Sequence, residues 1–279
     1  NMYIGNIFAI DKKDYSWTLK CHGNENMKKM NKPFEKCLQN ERTQDKPKRI
    51  YLIGDSHAAQ LKFMLDTATE DTQYDVAFIS TENYKEDFPY IFWNEIIEIE
   101  NIETIKQINR RIRKGDLLVI SFHKGRLNSV KRRNEHTESK HEDEEKWIIA
   151  KQNFTDLINT MKKSGVKIIF VEDVPMLKSE GVEIVTCALQ TKLLNWNLCD
   201  VSVELDNKTS FNQDRLFNAL TENEEAIKWN IKKYFPKKSN QYTWETENGL
   251  RIYFDQHHIT EEFSGSLGKY FKKDLLEKR

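Results

Sequence analysis

Near the start of the chain an apolar run, Arg49-Ile-Tyr-Leu-Ile-Gly54, leads straight into Gly54-Asp55-Ser56-His57. A serine hydroxyl at such a turn can attack an acyl carbonyl if a base takes its proton. Its own N–H, one of the orphan donors that open a helix, is suited to stabilise an oxyanion. Gly54 permits a tight turn and close approach of backbone to substrate. Near the other end, Phe254-Asp255-Gln256-His257-His258 sets a carboxylate three residues before an imidazole. That spacing lets Asp255 hydrogen-bond His258 within a single turn. Nucleophile, base and orienting acid would then be Ser56, His258 and Asp255. Each block alone has a plainer use. Asp55 or Ser56 can simply cap a helix, and Asp255 can cap another beside a surface His258. Together they are more specific, because each follows a predicted strand.

The elements that must position these residues alternate between strands and helices. Arg49–Gly54, Tyr74–Ser80, Asp116–Phe122 and Val166–Val171 are short, strongly apolar runs that fit buried strands, and Leu250–Phe254 reads as a fifth. Helical stripes fall at Ala58–Thr69, Asn94–Arg113, Trp147–Ser164, Phe211–Tyr234 and Glu261–Leu276. Strands that are apolar on both sides predict a parallel sheet with helices on both faces, an α/β fold. In such sheets ligands bind outside the carboxyl ends of the strands, where both blocks fall. Residues 1–48 read as a stapled N-terminal extension, and 49–279 as one domain, with no internal repeat or Gly/Pro-rich linker.

Lys+Arg and Asp+Glu are both 44 among 279 residues, so the chain lacks the basic balance of a general nucleic-acid binder. Its apolar runs fall far short of the ~20 residues that span a bilayer, so direct membrane insertion is not expected. The first residue is Asn rather than Met, the mark of a processed or excised chain, so the lack of a leader pattern carries no weight. Four cysteines allow three connectivities. Closeness in sequence favours Cys21 with Cys37 and Cys187 with Cys199, and two such staples imply an oxidising compartment. No Cys-x-x-Cys, Gly-x-Gly-x-x-Gly, P-loop or Gly-x-Ser-x-Gly pattern occurs, so no cofactor is called for. His136 and His141, beside Glu142, Asp143 and Glu144, read as a mixed-charge loop rather than a metal site.

Taken together, Gly-Asp-Ser56-His after strand one and Asp255-Gln-His-His258-Ile259-Thr260 in the last block resemble the SGNH/GDSL hydrolase superfamily. The closer resemblance is to SGNH domains fused to, or working beside, acyltransferase-3 membrane proteins, which Cys21 and Cys37 ahead of the first block also fit. The resemblance implies a three-layer, flavodoxin-like fold of about five parallel strands and a Ser56–His258–Asp255 triad. It further implies O-acyl transfer or esterase chemistry, most simply of acetyl groups, on a glycan outside the cytoplasm. A membrane acyltransferase-3 domain would be the acyl donor. The chain departs from the superfamily where oxyanion donors are expected: Ser80-Thr-Glu-Asn-Tyr84 lacks the Gly after strand two, and Ser121-Phe-His-Lys-Gly-Arg-Leu-Asn128 lacks Gly-x-Asn-Asp. His123, Arg126 and Asn128, with Gly54 and Asp55, are the candidates to supply donors or bind a sugar, or they are ordinary loop residues. The charged segment Lys124–Lys146 is expected to border the cleft and select the acceptor, the alternative being a mobile surface loop. A catalytically weak glycan-binding module that keeps the fold is the competing reading.

Overall fold

Four of the apolar runs form the strands expected of them: β1 (Lys48–Gly54), β2 (Tyr74–Ser80), β3 (Leu117–Ser121) and β4 (Lys167–Val171). The computed structural model describes residue 21 and residues 33–38, 42–80, 87–127, 140–176 and 199–277, with side chains of the 140–163 helix from 144 onward. A two-residue strand β5 (Val201–Ser202) and a longer β6 (Ala226–Trp229) follow. The main sheet has the order β2-β1-β3-β4-β6, parallel throughout. Strands β5, β7 (Lys237–Lys238) and β8 (Gln241–Tyr242) form a small antiparallel patch beside it.

The central strands bury both faces, and their side chains alternate between two cores. Ile50, Leu52, Leu117, Val119, Ile169 and Val171 point to one core. Tyr51, Ile53, Leu118, Ile120, Ile168 and Phe170 point to the other. The first core is closed by helices α2 (Ser56–Ala59), α3 (Lys62–Thr69) and the C-terminal α7 (Glu261–Phe271). The second lies under α1 (Pro33–Leu38), α4 (Glu103–Asn109), α5 (Lys140–Lys163) and α6 (Val203–Thr221). Helix on sheet on helix satisfies strands with no polar face to show water.

Three expectations are corrected. The helix expected over Phe211–Tyr234 is α6 at Val203–Thr221, and Ala226–Trp229 beyond it is the fifth strand. Ser202 caps α6, its hydroxyl accepting the Leu205 N–H at 3.0 Å. Leu250–Phe254 is not a sheet strand: Arg251 and Tyr253 make only isolated bridges, to Glu245 and Ile259. Its backbone bonds locally instead, with the Ile252 N–H on Trp244 O, the Thr260 N–H on Ile252 O and the Phe254 N–H on His258 O. The helix expected over Asn94–Arg113 also shortens to α4, preceded by a 3-10 turn at Ile99–Asn101. Buried Asp87 takes the Thr104 N–H there, anchoring the helix start from another segment.

Ahead of β1, Cys37 and Leu38 are buried in the second core, and Cys21 is bonded to Cys37. Cys199 is also disulfide-bonded; its expected partner Cys187 lies outside the described residues. Replacing both Cys21 and Cys37 by Ser is expected to destabilise the fold by about 3 kcal/mol, the entropy of closing a loop of this length. A urea midpoint equal to that of wild type would refute this.

Candidate active site

The sheet order places a switch point between β1 and β3, because the chain leaves β1 toward one edge and returns on its other side. The Ser56 turn sits at that point. Gly54 pairs with Ser80 on one side and Ser121 on the other, and Asp55 then caps α2 by accepting the His57 N–H at 2.9 Å. The same carboxylate accepts the His123 N–H at 3.1 Å and faces Arg126 Nε at 3.4 Å. It is fully buried and can only accept, so Asp55 ties the β1 turn to the β3 exit and offers nothing to an oxyanion. Ser56 is the first residue of α2 and is almost buried.

The second block is built by its own turn. Asp255 accepts the backbone N–H of His257 at 2.9 Å and of His258 at 2.8 Å through one oxygen. Its other oxygen lies 2.7 Å from His258 Nδ1. Burial alone would raise the Asp255 pKa, but the His258 hydrogen bond and charge hold it well below the usual carboxylate range. The two blocks meet through Gln60. Its side-chain oxygen accepts the Ile259 N–H at 2.8 Å, and its carbonyl accepts the Ser264 hydroxyl at 2.6 Å. Helix α7 lies so close to α3 that a Cβ on Gly268 would stand 2.7 Å from Met64 O. The His57 ring, next in sequence to Ser56, accordingly sits 4.9 Å from the His258 ring.

Sequence reasoning missed Asp173. Fully buried at the end of β4, it faces His57 Nδ1 at 2.6 Å and accepts the N–H groups of Lys124 and Val174 at 2.9 and 2.8 Å. Burial lowers the His57 pKa and Asp173 more than reverses this, so the net direction is up; Asp173 is correspondingly held low by His57. The available signal was an acidic residue immediately after a buried strand, in Glu172-Asp173-Val174. His57, His123, His257 and His258 gather around this point, and ligand-type atoms come together in two groupings, His57 with His257 and His258, and His57 with His123 and Asp173.

His123 follows β3, and its Nδ1 accepts the Gly125 N–H at 3.2 Å, which requires an unprotonated Nδ1. Its pKa is pushed down to about 2, by burial first and then by His57. A base lowered on folding stabilises the protein above its unfolded pKa of 6.5 and loses that contribution as pH falls toward the folded value. Between about pH 7.5 and about pH 5.5, His123 therefore contributes about 1.4 kcal/mol of acid destabilisation. His123→Gln should flatten urea-measured stability against pH by that amount; identical pH dependence in the two proteins would refute it. Arg126 stacks on Tyr90 at 4.5 Å and donates to its hydroxyl at 2.6 Å, with about a quarter of its side chain exposed. Asn128 and most of the expected charged loop lie outside the described residues. Of that segment, Lys124–Leu127 forms a 3-10 turn and α5 begins at Lys140, so the connection is shorter than expected. Among the described residues no helix is long and apolar enough to cross a membrane.

No curated protein sequence matches the chain. Among solved structures it is similar to the lipopolysaccharide acetyltransferase periplasmic domain of Salmonella ser. Paratyphi A, at 15% identity and a TM-score of 0.63, covering 99% of this chain and 98% of that one. An inhibitor-bound aryl esterase of M. smegmatis matches at 11% identity and a TM-score of 0.44, covering 82% of this chain and 98% of that one. The family described as SGNH domain (fused to AT3 domains) matches residues 20–273. With that match spanning nearly the whole sequence, the chain belongs to the SGNH domain family.

Proposed function

We propose that this domain moves or removes an O-acyl group on a carbohydrate through a covalent intermediate on Ser56. The observation that carries the reading is the Asp255–His258 pair, held at 2.7 Å and joined through Gln60 to the helix that Ser56 opens. His258 takes the Ser56 proton as Oγ bonds to the acyl carbon. The tetrahedral adduct collapses, the donor's leaving oxygen departs with the proton from His258, and the acyl-serine remains. A sugar hydroxyl or water then gives its proton to His258 and attacks the ester, the acyl–Oγ bond breaks, and His258 returns the proton to Ser56 Oγ. Asp255 keeps Nδ1 protonated and stabilises the imidazolium, which leaves Nε2 to exchange protons with Ser56. The Ser56 N–H, at the start of α2, is the proposed oxyanion donor. Arg126, partly exposed beyond β3, lines the acceptor side, where a planar guanidinium suits sugar hydroxyls.

Three features support an acyltransferase-3 membrane domain as donor and a site outside the cytoplasm. The family is described as fused to AT3 domains, and the first of the similar structures described above is the periplasmic domain of a lipopolysaccharide acetyltransferase. Disulfides at Cys21–Cys37 and at Cys199 fit an oxidising compartment. The test is covalent capture. Phenylmethylsulfonyl fluoride should add one sulfonyl group to the intact protein, mapped to Ser56 and absent from Ser56→Ala. No adduct on Ser56, with glycan binding retained, would favour the weakly catalytic binding module instead.

A further inference from the structure

We propose that His57, His257 and His258 together bind one divalent transition-metal cation of the zinc class, and that its binding shuts off acyl transfer by occupying His258. The second half rests on the reading of His258 as the base.

The three residues each place one ligand-type atom within 4.8 Å of the other two. Their rings form a tight group: His57 and His257 are nearly parallel at 5.4 Å, and His257 and His258 lie 4.1 Å apart. Two of the rings are already oriented as metal ligands are. His57 Nδ1 is held by Asp173 at 2.6 Å and His258 Nδ1 by Asp255 at 2.7 Å. A carboxylate on one imidazole nitrogen fixes the ring and makes the other nitrogen a better donor, the usual outer shell of a histidine-bound metal. His257 Nδ1 lies 3.6 Å from Asp255, so the same carboxylate biases that ring too. Asp173 and Asp255 also supply two negative charges to balance a divalent ion.

Geometry and ligand type narrow the ion. Zn–N bonds of about 2.0–2.1 Å in a tetrahedron put ligand nitrogens roughly 3.3–3.4 Å apart. Small side-chain rotations close the difference, and His257, with 39% of its side chain exposed, has room to make them. Three imidazoles without a thiolate suit zinc, cobalt, nickel or copper, whereas magnesium and calcium require oxygen ligands. A second grouping, His57 with His123 and Asp173, is weaker, because it uses the carboxylate that already holds His57 Nδ1. An ion on the first grouping takes the His258 lone pair that must receive the Ser56 proton.

Tag-free protein titrated with Co2+ should show the visible absorption of a low-symmetry cobalt site, saturating at one ion per chain and displaced by Zn2+. Saturating Zn2+ should cut p-nitrophenyl acetate hydrolysis at least tenfold, and EDTA should restore it. His257→Gln should weaken Co2+ binding at least tenfold while leaving metal-free hydrolysis within about twofold. Ser56→Ala should bind Co2+ like wild type and hydrolyse nothing. No cobalt spectrum in wild type, equal binding by His257→Gln, or full hydrolysis with Zn2+ bound would each overturn the proposal. Undiminished hydrolysis by Ser56→Ala, with its cobalt spectrum intact, would instead fell the acyl-serine reading and leave the metal site standing.

Discussion

Ser56→Ala and His258→Ala are each expected to lower p-nitrophenyl acetate turnover by roughly three or more orders of magnitude. In the proposed mechanism the two groups act as a unit: without the base the hydroxyl is a poor nucleophile, and without the hydroxyl the base has nothing to activate. Asp255→Asn should retain more activity than either. Its oxygen can still accept from the His257 and His258 N–H groups and so keep the turn, while the charge that stabilises the imidazolium is lost. Folding should be little affected by Ser56→Ala, since the hydroxyl is a small group at the first residue of α2. The measurement is steady-state hydrolysis by purified variants whose near-ultraviolet circular dichroism matches wild type. Wild-type turnover by Ser56→Ala would remove the nucleophile assignment.

The second large effect is on folding. Gly54→Ala should destabilise the protein by more than about 3 kcal/mol or leave it insoluble. A Cβ at this position would stand 1.8 Å from the Ser121 carbonyl oxygen and 2.6 Å from the Ala58 Cβ, and the backbone φ is +153°. Relief would require β1 and β3 to separate at Gly54↔Ser121, where the sheet presents the site. Gly265→Ala is the contrast. It lies inside α7, its Cβ would meet only Thr67 Oγ1 at 3.5 Å, and exchanging Gly for Ala within a helix is worth about 0.5–1 kcal/mol. Urea midpoints should therefore move in opposite directions for the two substitutions. A Gly54→Ala protein with a wild-type midpoint would show that the sheet yields there at little cost.

What the sequence determined by itself is what short-range physics determines. Strands β1 to β4 were legible because a strand buried on both faces must be apolar at nearly every position, and Leu117–Ser121 and Lys167–Val171 are almost wholly so. The Asp255–His258 contact was legible because three residues on one turn are enough to make it. The fifth strand was not. Ala-Ile-Lys-Trp at 226–229 is an edge strand of four residues, buried at its two ends and half-buried between, too short for a period to separate it from the end of a helix. The more regular Leu250–Phe254 looked more like a strand, yet its hydrogen bonds go to its own turn. The partners of His57 and Gln60 were beyond sequence reading altogether. Asp173 is 116 residues from His57, and Ile259 is 199 from Gln60. Asp173 meets His57 because parallel strands deliver their carboxyl ends to one edge, and Ile259 meets Gln60 where α7 packs on α3, so groups remote in the chain become neighbours only once the sheet and its helices have packed. Local spacing thus pointed to the residues on which the proposed chemistry rests, and only the packed sheet decided which side chains surround them.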